Sequence, residues 1–183
     1  MIRLLLWILG GLLLGGVVHL ATVLALPQTA TQDAYSRLVP ITPVNAMAPL
    51  APPTSEAAIM PFMDPAFAAA VCRYDLSNGP LKFNAPLTQT YTSVTFYTRA
   101  SVAYYAINDR AAGRKAIELD LMTPEQHAEM PEEEGVTSAD RLIIESPTKT
   151  GLIVLRALAA EPGLMPAVRR VLAAARCQIE AAS

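Results

Sequence analysis

The chain has 183 residues, a formal net charge of −2 at pH 7 and a composition that is 52% hydrophobic. The near-neutral charge excludes the strongly basic surface that nucleic-acid binding requires, so we expect no nucleic acid as a partner. Once the apolar and proline-rich N-terminal stretches are set aside, the remaining length fits one modest domain and not two.

Residues 4–26 form an apolar run without a formally charged side chain. A helix rises about 1.5 Å per residue, so this run is long enough to cross a hydrocarbon core of about 30 Å. We therefore predict one transmembrane helix at residues 4–26, with the lipid bilayer as its partner. A cleaved signal peptide is the alternative, because residues 23–25 resemble a cleavage site, but signal cores are only about 7–15 residues long.

The flanking charges predict an orientation for this helix. Arg3 and the amino terminus precede the apolar run, and positive groups favour the cytoplasmic side of a membrane. Residues 1–3 are thus a predicted cytoplasmic tail of a single-pass protein of the bacterial inner membrane, with the C-terminal domain in the periplasm. Gly11 and Gly15 form a GxxxG pattern, which fits either a helix–helix dimer or an anchor without a partner helix.

Residues 27–61 are rich in proline and carry seven of them. Proline removes a backbone donor and fixes φ, so a long helix or a central strand is not expected in this segment. We predict a linker at residues 27–61, either a stalk or a belt laid over the domain. One helical turn is compatible with residues 33–39.

Residues 62–183 predict an exported, mainly β domain, with an antiparallel sheet or sandwich and helices only at its margins. Apolar runs at residues 66–76 and 81–85 flank Asn78-Gly79, which is a strong hairpin signal. Residues 91–98 and 102–107 are rich in Tyr, Thr and Val and indicate an antiparallel pair.

The rest of the domain alternates between strand and helix patterns. Residues 115–122 alternate apolar and polar side chains as a half-buried strand does. Residues 123–126 form a capping box that starts a short helix. The apolar runs 141–146 and 151–159 predict a second hairpin, and residues 163–179 predict a closing amphipathic helix packed on the sheet.

The only two cysteines, Cys72 and Cys177, lie too far apart in sequence for a redox or metal CxxC motif. Disulfides persist in the periplasm and are rare in the cytosol, so the predicted compartment favours a bond between them. Two buried free thiols are the alternative. A single histidine in the exported part, His127, argues against zinc, and we predict neither a metal nor a cofactor.

No catalytic motif is present. The carboxylates on or beside predicted strands leave a paired-carboxylate hydrolase of envelope substrates as one hypothesis; they are Asp75, Asp109, Glu118, Asp120 and Glu145. The preferred hypothesis is a binding or assembly module for an envelope protein partner, with a candidate surface at Tyr97, Tyr104, Tyr105 and Asn108. The alternatives are tyrosines buried in an ordinary core, or a small-ligand β-sandwich with a pocket lined by these aromatic rings.

Several of these segments together resemble a bacterial family known as domain of unknown function 1254. The likeness covers residues 61–177, and its most specific part is residues 75–80, which is similar to the family's Asp-Leu-Ser-x-Gly-Pro turn. The resemblance implies a β-rich fold, and longer members carry a second β-sandwich domain. It implies no agreed substrate, cofactor or catalytic residue.

Overall fold

The structure of the protein is a computed structural model, and it describes residues 1–29, 33–54, 56–112, 115–130 and 142–179. The chain divides into two compact units, Met1–Asp33 and Ala34–Ser183. Residues 131–141, which include the first residue of the predicted strand 141–146, lie outside the described residues.

The first unit contains one long helix, α1, which spans Ile2–Thr29. Its stretch Ile2–Leu26 is long and apolar enough to cross a membrane, and its large apolar side chains are exposed. Such an all-apolar surface is typical of a helix whose solvent is lipid. The boundaries of the helix include the predicted run 4–26.

The second unit is built from two β-sheets that face each other, with strands numbered in chain order. The five-stranded sheet has the order β1 (Met47–Pro49), β2 (Phe67–Asp75), β8 (Thr150–Leu158), β4 (Thr92–Thr98), β5 (Ala103–Asn108). The four-stranded sheet has the order β7 (Leu142–Glu145), β6 (Ala116–Met122), β3 (Leu81–Pro86), β9 (Arg176–Ile179). All neighbouring strands are antiparallel except β6 and β7, which are parallel. The predicted mainly β, sandwich-like fold is confirmed.

The core lies between the two sheets, and strands such as β3 and β6 place alternate side chains in it. Its large members include Tyr74, Phe83, Phe96, Leu119, Leu121, Ile153 and Leu155. The predicted inward positions of residues 117, 119 and 121 are correct, since all three are buried. This alternation is what a sheet with one face on the core requires.

Four short helices complete the described part of the domain: α2 (Ala34–Leu38), α3 (Asp109–Ala112), α4 (Pro124–Ala128) and α5 (Met165–Ala173). The predicted capping box is confirmed, because the Thr123 side chain accepts from the Gln126 backbone and the Gln126 side chain accepts from the Thr123 backbone. The predicted antiparallel pair is also confirmed as β4 and β5.

Both predicted hairpins are wrong, and for the same reason. β2 and β3, on either side of Asn78-Gly79, belong to different sheets, as do β7 and β8 on either side of residues 146–149. At each turn the chain crosses from one sheet to the other. The turn chemistry is correct, since Gly79 has a φ of 129°, but a turn signal does not specify the strand with which the next strand pairs.

Two boundaries also differ from the prediction. The closing amphipathic helix ends at Ala173, and Cys177 lies on β9, which pairs with β3. The proline-rich segment predicted as a linker contributes α2 and β1 to the second unit from Ala34 onward. Prolines limit this segment to one short helix and a three-residue edge strand, yet Leu38 and Ala48 are buried.

Candidate functional site

The outer face of the five-stranded sheet is unusually apolar. In an antiparallel sandwich this face normally meets water and carries polar side chains. Here Ala69 and Val71 of β2 and Leu152 and Val154 of β8 point outward, beside Tyr97 of β4. The segment from Ala34 onward, called the covering segment below, covers part of this face. The rest of the apolar face is left open.

The helix α2 is fixed to this face by one apolar and one cationic contact. Leu38 is fully buried against Val71 and Leu152. The guanidinium groups of Arg99 and Arg73 both lie over the ring of Tyr35, at 4.1 Å and 5.5 Å from its centroid. Such cation–π contacts contribute about 0.5–2 kcal/mol each.

Arg73 also holds the turn that follows α2. Its Nε and Nη2 donate to the carbonyl oxygen of Thr42, at 3.1 Å and 2.8 Å. The Thr42 hydroxyl in turn donates to the carbonyl oxygen of Leu38 at 2.7 Å. One arginine therefore joins the covering segment to the sheet through both a ring and a backbone carbonyl.

A groove of about 340 Å³ remains open beside the covering segment. Its floor is formed by outward residues of β2 and β8, and its side by residues 60–64. The charged side chains of its lining are Asp64 and Arg156, and most of the remaining lining is apolar. The volume falls within the range of about 300–1,000 Å³ that small-molecule sites occupy, and such sites are also mostly apolar with few polar groups.

Phe62, at the edge of the groove, combines an exposed side chain with an unfavourable backbone conformation. Its side chain is 103% exposed, and its φ is 60°, in the left-handed region. A left-handed conformation at a bulky residue costs on the order of 1–3 kcal/mol and is found mostly at functional sites. No burial of this ring within the domain offsets that cost.

The four residues of the predicted binding surface do not form one surface. Tyr97 points outward and lines the groove, whereas Tyr104 and Tyr105 pack against the core residue Phe96. The Asn108 side chain accepts from the backbone of Ala111 at 3.0 Å and so caps α3.

A β-bulge explains why two successive tyrosines face inward. The register between β4 and β5 shifts between Phe96 and Tyr97, which leaves Tyr104 as the extra residue. The two rings lie 6.2 Å and 5.9 Å from the ring of Phe96. An extra residue in one strand breaks the strict alternation of faces, so simple alternation could not assign these two side chains.

Tyr104 ends a buried chain of hydroxyl groups. It donates to the Tyr74 hydroxyl at 3.2 Å, and the Tyr74 hydroxyl lies 2.9 Å from the Ser146 hydroxyl. Burial raises the pKa of the Tyr104 phenol, and the neighbouring Tyr74 phenol raises that pKa further. These groups are satisfied by one another and by backbone carbonyls, so we assign them a structural role in the core.

The candidate catalytic carboxylates are dispersed, and each has a local partner. These contacts are Asp75 with the Ser77 backbone at 2.9 Å, Asp109 with the Thr92 backbone at 3.3 Å, Glu118 with Asn84 at 2.6 Å and Glu145 with His127 at 2.7 Å. Asp120 also has an interaction partner and lies opposite Lys82 in the sheet register. The described residues contain no group of three or more His, Cys, Asp or Glu placed to hold a metal ion.

The groove residues 60–64 were missed from the sequence because they lie at the junction of the predicted linker and domain. The signal that was present is the apolar run Met60-Pro61-Phe62-Met63 at the end of a polar, proline-rich stretch. A linker surrounded by water does not require four successive apolar side chains. Of the four residues in the predicted binding surface, Tyr97 lines the groove.

Together the two facing sheets, the disulfide-linked core and the outer groove define a single-domain β-sandwich with an open apolar site. Residues 44–178 match the model of the family described as "Protein of unknown function (DUF1254)", and the chain belongs to this family. The resemblance found in the sequence is thereby confirmed. No curated protein matches the chain.

Two solved structures align with this chain. The VPA0106 protein from Vibrio parahaemolyticus aligns with a TM-score of 0.59 and 12% identity over 80% of this chain and 34% of that one. A putative uncharacterized protein from Burkholderia cenocepacia aligns with a TM-score of 0.45 and 16% identity over 65% of this chain and 33% of that one. The chain thus spans about a third of the length of these structures.

Proposed function

We propose that the protein is a membrane-anchored binding module of the bacterial envelope, with α1 in the inner membrane, the N-terminus in the cytoplasm and the domain in the periplasm. The length and apolar surface of α1 support the anchor. Arg3 on the N-terminal side supports the orientation. The disulfide between Cys72 and Cys177 supports an oxidising compartment, because such bonds are rare in the cytosol.

The observation that carries the binding function is the apolar groove on the outer face of the five-stranded sheet. An uncovered apolar face costs free energy in water, at roughly 25 cal/mol per Å² of apolar surface, unless a ligand covers it. The carboxylate hydrolase receives no comparable support, because its candidate groups are dispersed and engaged. A binding module is therefore the function that the geometry supports best.

Site-specific photocrosslinking in intact cells tests this function without assuming what binds. A photoreactive phenylalanine analogue is placed at Val154, on the groove floor, and separately at Gln178, an exposed residue on β9 of the other sheet. We expect an adduct at residue 154 and none at residue 178. Equal yields at the two positions, or no adduct at either, would refute the groove as a binding site.

A further inference from the structure

We infer that the groove binds an acyl chain of a membrane lipid, with an anionic headgroup at its charged edge; this inference rests on the proposed binding function. It names the class of ligand and its source, the bilayer in which α1 is anchored. Three independent features of the chain carry it: the distance to the membrane helix along the chain, the chemistry of the groove walls and the charge at the groove edge.

The covalent chain keeps the groove close to the membrane. Ala34 is part of the groove lining, and α1 ends at Thr29, five residues earlier. Five residues span at most about 18 Å when fully extended, at roughly 3.3–3.6 Å each. With α1 in a bilayer, the groove lining therefore begins within this distance of the end of the membrane helix, where lipid is the most concentrated apolar ligand.

The walls suit a flexible hydrocarbon chain better than a ligand with many polar groups. Leu50, Ala69 and Val154 are half-buried and offer aliphatic surface, and Met60 and Met63 add unbranched side chains that adapt to ligands of variable shape. Polar ligands are recognised by several convergent hydrogen-bonding groups inside a pocket. In this groove the charged groups are limited to Asp64 and Arg156.

The positive charge of Arg156 at the groove edge favours an anionic headgroup. The Arg156 side chain is exposed, and its guanidinium lies 5.7 Å from the centroid of the Phe67 ring, which holds it over the groove lining. Guanidinium groups bind phosphate through paired hydrogen bonds. Asp64 is the one acidic group of the lining, and its Oδ1 already accepts from the backbone of Ala66 at 2.9 Å.

The exposure of Phe62 at the groove edge is also consistent with an acyl chain as the ligand. Its ring is fully exposed in a left-handed backbone conformation at the groove edge. An exposed bulky apolar side chain gains free energy when it enters an apolar phase. We assign this ring to the edge of the groove, where it contacts the bound acyl chain.

Photoreactive lipids test the inference on the full chain reconstituted in vesicles. The vesicles contain either phosphatidylglycerol or phosphatidylcholine with a diazirine in the acyl chain, and labelled peptides are identified by mass spectrometry. We expect label in α1 and in two tryptic peptides, residues 38–73 and 150–156, which contain the groove side and floor. Labelling of the groove peptides should be several-fold stronger with the anionic lipid.

The membrane helix serves as an internal reference. Absence of label in α1 would contradict the proposed membrane anchor itself. Label in α1 without label in the groove peptides would overturn the lipid inference and leave the anchor intact. A polypeptide adduct at Val154 in cells, with no lipid label in vitro, would assign the groove to a protein partner and also overturn the inference.

Two pairs of variants separate specific binding from chance contact. Ala69→Phe fills the groove and should lower its labelling several-fold, whereas Gln178→Phe adds the same ring on the other sheet, outside the groove, and should not. Arg156→Gln should reduce labelling by phosphatidylglycerol to the phosphatidylcholine level, whereas Arg170→Gln on α5 should leave it unchanged. Equal labelling of wild type and Ala69→Phe would refute a defined acyl site.

Discussion

Gly151 lies in the central strand of the five-stranded sheet at a point with no room for a side chain. A Cβ at this position would collide with the carbonyl oxygen of Tyr97 and with the hydroxyl end of Tyr74. Both obstacles are fixed, because one is backbone and the other is a buried ring that the hydroxyl chain holds in place. The closeness of backbone and ring here depends on the missing side chain.

Gly151→Ala should therefore lower the free energy of unfolding by about 1–3 kcal/mol through overpacking. The control is Gly163→Ala, because nothing lies within 4 Å of a Cβ at that position. Urea unfolding of both variants, followed by tyrosine fluorescence, measures the difference. A Gly151→Ala protein as stable as the Gly163→Ala protein would show that strand β8 shifts to make room.

Single side chains were predictable from the sequence only where the alternation of a strand is regular. Val94 and Phe96 were placed on one face of a strand, and both are fully buried. Tyr104 and Tyr105 were expected on a surface and instead face the core, because the bulge beside Tyr97 adds one residue to the strand. A bulge has no reliable signature in a single sequence, although it decides which way every later side chain points.

At the scale of elements, the turn at residues 75–80 joins the two sheets and is fixed by hydrogen bonds within the turn and to two other segments. The Ser77 side chain and backbone donate to Asp75 and hold the pKa of that carboxyl below its usual range. The Leu76 backbone donates to the Lys149 carbonyl at 2.9 Å, and the Gln126 side chain donates to the Leu76 carbonyl at 2.8 Å. The most specific stretch of the family resemblance is therefore a crossing point between sheets.

The position of this turn was predicted correctly from the sequence, but the pairing of the strands on either side of it was not. Asn78-Gly79 specifies a tight reversal, which is present, but in a sandwich a reversal serves equally well to change sheets. The choice depends on pairing with β8 and β6, which lie far away in sequence. Local patterns therefore predicted the strands, and the long-range pairing could not be predicted from them.

The disulfide links the same two sheets at another point, since Cys72 lies on β2 and Cys177 on β9, with Cα atoms 6.4 Å apart. The bond closes a segment with a sequence separation of 105 residues. Replacing both cysteines with alanine should lower the free energy of unfolding by on the order of 4–5 kcal/mol, because the unfolded chain regains the entropy that the closed loop removes.

Denaturant unfolding of the oxidised protein, the reduced protein and the double variant checks this value. The reduced protein is the matched control and should behave as the double variant does. Unfolding midpoints that coincide for all three forms would mean that the bond adds nothing to stability. Alkylation of the denatured, unreduced protein from intact cells should label neither Cys72 nor Cys177.

For the whole molecule, the main prediction is the membrane topology, with the N-terminus in the cytoplasm and the C-terminal domain in the periplasm. Fusion of alkaline phosphatase after Ser183 should give an active enzyme, because that enzyme needs the oxidising periplasm to form its disulfides. A reporter that is active only in the cytosol should be silent at the same site. The opposite pattern would reverse the orientation inferred from Arg3 and would place the groove on the cytoplasmic side.

The covering segment also shows where whole-molecule predictions from sequence stop. The prolines of residues 27–61 correctly exclude long regular elements, and a belt over the domain was one of two expected outcomes. That Leu38 would be buried on the outer face of a sheet could not be predicted, because the apolar partners Val71 and Leu152 lie in strands whose exposed faces normally meet water. The groove exists only because that covering is incomplete.

The cationic contacts around Tyr35 have a mechanical consequence. The folded domain begins at α2, so tension that enters from the N-terminal side of the chain reaches Tyr35 and its contacts with Arg73 and Arg99 before it reaches the sheets. Next along the chain come the buried Leu38 and the Thr42 carbonyl held by Arg73. We expect these contacts to break under load before β1 separates from β2.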